Sequence, residues 1–192
     1  MFKKRREAAL QAMRAKGGGT MLVPAGEEKI RSHDSEFIFR QDNDFYYLTG
    51  LDEPQGCVIL RADAATGEPT FILFVRPRDP EREIWTGRRA GVEGAKHTFG
   101  ADEAHPIEEM DAKLGGYLNH PSRLWFRLGH EAAWDERVLR VLADLRAKVR
   151  LGMTAPAEVV DSGGVLHELR MIKNDEDLAR LRRLREDRLV LV

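Results

Sequence analysis

With one cysteine in 192 residues, Cys57, the sequence can form no internal disulfide, and nothing in it points to an oxidising compartment. The setting of that thiol, GCVIL, predicts an inert buried group and not a nucleophile. Neither sign of charge prevails: 31 basic and 32 acidic residues leave a net charge of -1, too little field to gather nucleic acid or an anionic membrane. Long apolar runs are also missing, since none approaches the ~20 residues of a membrane span, and the basic start MFKKRREAAL leads into no signal-type apolar segment. These absences predict a cytoplasmic protein with no nucleic-acid and no membrane partner.

Catalytic patterns are equally scarce. The six histidines, at 33, 97, 105, 120, 130 and 167, include no HxH or HxxxH pair. His130 opens HEAAW, where Trp134 occupies the place of the second zinc-binding imidazole, and HELRM from His167 fails the same way at Met171. The glycine run GGGT at Gly17 to Thr20 is not followed by the Lys and Ser/Thr that grip phosphate, and no GxSxG string occurs. The expectation for this chain alone is therefore no catalytic residue, no metal site and no cofactor.

What is present is concentrated in RQDNDFYYLTGLDEP, from Arg40 to Pro54. Asp42 or Asn43 can cap a short helix through Phe45 to Leu48, Gly50 permits a left-handed exit, and Pro54 forbids continuation. The aromatics are expected to face inward and the carboxylates outward. Before this joint, Lys3 to Lys16 reads as an amphipathic helix with Leu10 and Met13 on its buried face and the basic run in solvent. Thr20 to Pro24 reads as a strand and Ala25 to Glu36 as a polar loop. After it, Gln55 to Arg61 and Thr70 to Arg76 predict an antiparallel hairpin covered on both faces, turning through ADAATGEP.

Pro77 to Gly94 follows neither period and reads as an ordered excursion carrying Trp85. Ile107 to Leu118 reads as a helix, Arg123 to Leu128 as a strand, and Glu131 to Val149 as a helix with Trp134, Val138, Val141, Leu142, Leu145 and Val149 at helical spacing. Thr154 to His167 reads as a connector. A last helix is expected from Asn174, its cap, with Leu178, Leu181, Leu184 and Leu189 on one side. Strands separated by helices predict an α/β fold with a mixed β-sheet flanked by helices.

FRQDNDFYYLTGLDEP, preceded by RSHDSEF and followed by EIWTGRR, resembles the N-terminal domain of bacterial Xaa-Pro aminopeptidases in the creatinase and aminopeptidase P superfamily. The likeness runs from about Arg5 to Arg183, and it implies a ribonuclease H-like architecture. It divides the chain into an N-terminal-type domain at 1–166 and, at 167–192, a connector with the first helix of a catalytic domain absent here. The tail REDRLVLV departs from the family pattern, in which small residues continue the helix.

The resemblance implies that the parent enzyme cleaves Xaa-Pro peptides with two divalent metals, manganese, held by carboxylates and a histidine of that absent domain. This chain would be non-catalytic, forming a homo-oligomer and restricting access for short peptides. By motif match, Trp85 would wall a neighbouring subunit's substrate pocket, and Asp34 and Arg150 would line its polar entrance; Arg88 and Arg89 are weaker candidates. The alternative is a stand-alone module of the same fold that binds a peptide or protein through Asp34, Trp85 and Arg150.

Overall fold

The apolar runs and amphipathic stretches stack as helix, sheet and helix layers. The computed structural model describes residues 1–189, and the side chains at 86 and 184–189 lie outside that description. In chain order the elements are α1 (Phe2–Ala15), β1 (Thr20–Pro24), β2 (Ile30–Ser32), β3 (Ser35–Glu36), α2 (Asn43–Thr49), β4 (Cys57–Arg61) and β5 (Phe71–Val75). There follow α3 (Pro80–Thr86), α4 (Gly91–His97), β6 (Glu103–Pro106), α5 (Met110–Tyr117), β7 (Arg123–Trp125), α6 (Ala132–Ala147), β8 (Glu158–Val160), α7 (Gly163–Met171) and α8 (Asp175–Leu189). Single turns of 3-10 helix precede α5 at Ile107–Glu109 and follow α6 at Val149–Leu151.

Six strands form one mixed sheet in the order β6-β5-β4-β1-β7-β8, and only β4 runs against the rest. The expected hairpin is present, with Val58 opposite Leu73 and Ile59 opposite Ile72. Alternation along the strands divides the core in two. Val23, Val58, Leu60, Leu73 and Trp125 face α1, α2, α4 and α7. Leu22, Ile59, Ile72, Phe74 and Leu124 face α5 and α6, meeting Leu114, Trp134, Val138, Leu142 and Leu145. Both faces are covered, which is why these strands read as unbroken apolar runs.

Entry into β1 depends on three glycines. Gly17, Gly18 and Gly19 all have positive φ, a region that excludes most side chains. A Cβ at Gly19 would stand 2.3 Å from the Arg123 carbonyl oxygen. That approach brings the Gly18 carbonyl to the indole Nε1 of Trp125, which donates to it at 2.8 Å, while the Gly19 amide donates to Asp63 at 2.7 Å.

Several expectations are corrected. Lys3 and Lys4 are exposed, but Arg5 and Arg6 are buried, so the basic run is not simply a solvated face. Arg6 lies over the Phe71 ring at 3.9 Å and donates to Leu48 O at 3.0 Å; burial, opposed by Asp102 and Glu7, lowers its pKa. Arginine tolerates this because its planar cation stacks on aromatics and its stem is apolar. The loop at 25–36 contains the β2–β3 hairpin, and the excursion at 77–94 contains α3 and the start of α4. The expected connector holds β8 and the first turn of α7, β6 was unforeseen, and the strand from Arg123 stops at Trp125.

Val149 leaves the helical stripe as an exposed residue. Asn174 does cap α8, its side chain accepting from Asp177 N at 2.9 Å, and Leu178 and Leu181 are partly exposed. Leu184 and Leu189 of the expected stripe lie outside the described side chains, and the tail's last residues lie outside the described chain.

Two variants test this frame. Gly19→Ala should cost about 2–4 kcal/mol in urea unfolding, because a backbone carbonyl blocks the new methyl. Gly17→Ala, whose Cβ would meet only the Arg123 side chain at 3.6 Å, should cost less.

Asp102 joins β5 to the loop before β6: its Oδ2 accepts from Thr70 N, Thr70 Oγ1 and Phe71 N at 3.0, 2.9 and 2.9 Å. Burial pushes this carboxyl up, but those hydrogen bonds and Arg6 outweigh it and hold the pKa below the usual range. A lowered carboxyl pKa means stability that is complete above the ordinary value of about 3.9 and lost as pH falls through the folded value. Asp102→Asn should therefore cost about 1 kcal/mol at pH 7, a figure already discounted for solvent screening, and the gap should narrow near pH 3.

Candidate functional site

The Arg40–Pro54 joint is built as its residues dictate. Asp42 caps α2, one carboxylate oxygen accepting from Asp44 N at 2.8 Å and Phe45 N at 2.9 Å, and Gly50 closes the helix at φ 72°. Gln41 ties the joint together: its Oε1 accepts from Gly26 N at 2.6 Å, and its Nε2 donates to Glu53 O at 2.7 Å. Phe45 and Leu48 are buried as expected, but Tyr46 is exposed and Tyr47 only half-buried, so the aromatics do not all face inward. Asp44, however, is only 5 % exposed, contrary to the outward orientation expected of the carboxylates. It is paired with Arg170 and lies 3.3 Å from His167 Nε2, so the last turns of α7 supply the Arg170 charge and the hydrogen-bonding ring that permit its burial. Tyr47 sits under the Arg5 guanidinium at 4.4 Å, and Arg5 also pairs with Asp177 of α8.

Trp85 stands on α3, a short helix with defined ends. Asp79 caps it by accepting from Arg82 N at 3.2 Å, Pro80 occupies its first turn, and Gly87 at φ 81° ends it. Arg78 clamps Glu83 with two hydrogen bonds, at 3.0 and 2.8 Å, and these hold the Glu83 carboxyl down to about 2. So fixed, α3 presents Trp85 at 89 % exposure beside the exposed Ile84. The ring is thus a surface feature and not a core tryptophan.

Asp34 lies exposed in the turn between β2 and β3, and Arg150 lies exposed in the turn after α6. The structure shows no hydrogen bond or ion pair joining any two of Trp85, Asp34 and Arg150 among the described residues. Arg88 is exposed and Arg89 is buried, its Nη1 donating to Pro77 O at 3.4 Å while its Nε has no partner among them. The division between 1–166 and 167–192 falls inside α7, whose Val165 and Leu166 are core and whose His167 and Arg170 reach Asp44.

A cleft of about 340 Å³ opens at the carboxyl ends of β1 and β7. Leu22, Val23, Phe126 and Trp134 give it an apolar floor, and Asp42, Asp44, His130, Glu131 and Ser162 are among its polar lining. Sequence reading passed over Glu131 and Ser162. HEAAW drew notice only as a failed zinc pattern, and Ser162 became legible only through the position of β8. A second, larger groove of about 880 Å³ runs between α2, α7 and α8 past Tyr46, Tyr47 and Arg170. Cys57 is fully buried, and burial pushes its thiol pKa far up. Among the described residues no three His, Cys, Asp or Glu side chains are gathered as a metal site, so these residues do not fit a two-metal centre.

A mixed sheet between two helical layers matches a known domain. Residues 2–125 match the family model described as the aminopeptidase P N-terminal domain, and the chain belongs to that family. It is 37% identical over 185 residues to Xaa-Pro aminopeptidase of Escherichia coli strain K12, covering 96% of this chain and 41% of that protein. Among solved structures, aminopeptidase PepP of Pseudomonas aeruginosa superposes with a TM-score of 0.85 at 36% identity, over 91% of this chain and 38% of that one. Zinc-substituted E. coli aminopeptidase P in complex with product gives 0.87 at 36% identity, over 95% and 41%. The chain thus spans about two-fifths of the length of these relatives.

The Arg78–Glu83 clamp makes a prediction about α3. A lowered carboxyl pKa makes the clamp complete above the ordinary glutamate value of about 4.3 and lost as pH falls through about 2. Glu83→Gln should speed amide hydrogen exchange across residues 80–86 near neutral pH, and the variant and native rates should converge toward pH 2.

Proposed function

We propose that this chain is the non-catalytic N-terminal domain of an Xaa-Pro aminopeptidase, serving subunit association and restricting substrate access to a catalytic site carried elsewhere. The observation that carries this reading is Trp85, an almost fully exposed indole on a clamped helix in a chain that aligns with only the first two-fifths of its relatives. Large exposed aromatics are costly to leave in water and frequent at the centres of interfaces. In this reading Trp85 walls a neighbouring subunit's pocket, and Asp34 and Arg150 line the polar entrance for short Xaa-Pro peptides.

The catalytic chemistry is assigned to the remaining length of the parent enzyme. Its two divalent metals, manganese in this proposal, would supply Lewis-acid activation of the scissile amide. No described residue of this chain is given a role in holding them. What this chain contributes is position: the Asp44–Arg170 pair and the Arg5–Asp177 pair hold α7 and the start of α8 on the α2 face. Residues 167–192 are read as the connector leading to the catalytic region, and 1–166 as the accessory domain. A cytoplasmic location accords with the lone buried Cys57, and no helix among the described residues is long and apolar enough to cross a membrane.

Purified chain should hydrolyse no Xaa-Pro peptide with or without manganese, and it should sediment as an oligomer that Trp85→Ala weakens while the melting temperature stays unchanged. Metal-dependent turnover by rigorously pure chain would overturn the reading. Quenching of Trp85 fluorescence by a short proline peptide, with no self-association, would favour a stand-alone binding module instead.

A further inference from the structure

The sheet order gives the 340 Å³ cleft its meaning. From β1 the chain moves outward through β4 and β5 to β6, then returns to the other side of β1 for β7 and β8. The elements that follow β1 and β7 also leave in opposite directions, α2 to one helical layer and α6 to the other. Such a reversal opens a crevice outside the carboxyl ends of the strands, the usual place for a ligand in an open α/β sheet. Its volume is within the range of small-molecule sites.

We propose that this cleft binds a primary ammonium group carried on a small apolar body. The body would lie on Leu22, Val23, Phe126 and Trp134. The charge would meet the carboxylates of Glu27 and Glu131, which line the opening and have no ion-pair partner among the described residues.

Electrostatics supports a cation. Burial, then the like charges of Glu27, Asp42 and Asp135, push the Glu131 carboxyl up, and Lys29 only partly offsets them. Lys29, Arg40 and Arg127 also line the opening, yet none of them forms an ion pair with these acids. Of the helix N-termini at the cleft, that of α6 carries the Glu131 carboxylate itself at its N-cap, which repels an anion, and those of α2 and α7 are already in use. At α2, Asp42 takes two amides, and at α7, Asp161 accepts from Gly163 N at 2.7 Å.

Ser162 adds an independent sign. It lines the same cleft at 3 % exposure, sits at the N-cap of α7 without making a capping bond, and its hydroxyl has no hydrogen-bond partner among the described residues. A hydroxyl that lines the cleft on an almost buried residue and bonds to no described neighbour is free to accept from a ligand, and an ammonium group has three N–H donors to distribute among Ser162, Glu27 and Glu131.

Three probes with the same apolar body and different charge test this on the purified chain: phenethylamine, 2-phenylethanol and phenylacetate. Titrations followed by the Trp134 indole N–H and the Gly26 amide in heteronuclear NMR should show saturable binding of the amine, with a Kd about tenfold or more below that of the alcohol. Glu131→Gln should bring the amine to the alcohol's affinity while leaving the alcohol unchanged, and Glu27→Gln should act in the same direction. Because Glu131→Gln relieves crowded charge, its melting temperature should be equal or higher. Equal affinity for amine and alcohol, tightest binding of phenylacetate, an amine affinity insensitive to both variants, or no saturable shift with any probe would each overturn the proposal.

Discussion

Everything in this molecule is arranged about β1, and β1 can occupy its place only because no side chain stands at Gly19. The strand is covered on both faces, hydrogen-bonded to antiparallel β4 on one edge and parallel β7 on the other. To enter that slot the chain must turn sharply off α1 and pass against the Arg123 backbone, and three successive left-handed glycines make the turn. The indole of Trp125 then locks the turn through the Gly18 carbonyl. Both halves of the core, and the cleft where they part, follow from this one passage.

Burial of charge is the second theme. Arg5, Arg6 and Asp44 are all buried, and each is matched: Arg5 by Asp177 and the Tyr47 ring, Arg6 by Phe71 and Leu48 O, Asp44 by Arg170 and His167. Ion pairs of this kind add little net stability over apolar replacements, but they are strongly directional. Two of these three matched charges find their ion-pair partners in α7 or α8. They orient those helices on the domain.

The parts legible in the sequence were those where one local rule decides. The glycine and proline at the ends of the α2 joint, the doubly covered hairpin of β4 and β5 and the apolar stripe of α6 each announce themselves within a dozen residues. The parts that were not legible depend on distant neighbours. Nothing local shows that Arg6 will find Phe71, or that Asp44 will meet Arg170 across 126 positions. β6 and β8 have only four and three residues and partly exposed faces, so neither shows a strand period. α3 was hidden because its exposed Ile84 and Trp85 break the amphipathic pattern. That irregularity is also what makes it a candidate contact surface. The cleft was invisible for a different reason, since its lining comes from the ends of several elements that only the sheet order brings together.

The margins of the sheet have a consequence for how copies of the chain can meet. At one margin β6 ends in Pro106, which has no amide hydrogen to offer, and at the other β8 presents only three residues. Neither margin is a template on which a foreign strand could grow for any length, so fibril-like stacking of whole domains is disfavoured. Any contact between copies would therefore rest on side chains and shape and not on strand pairing across the margins of the sheet.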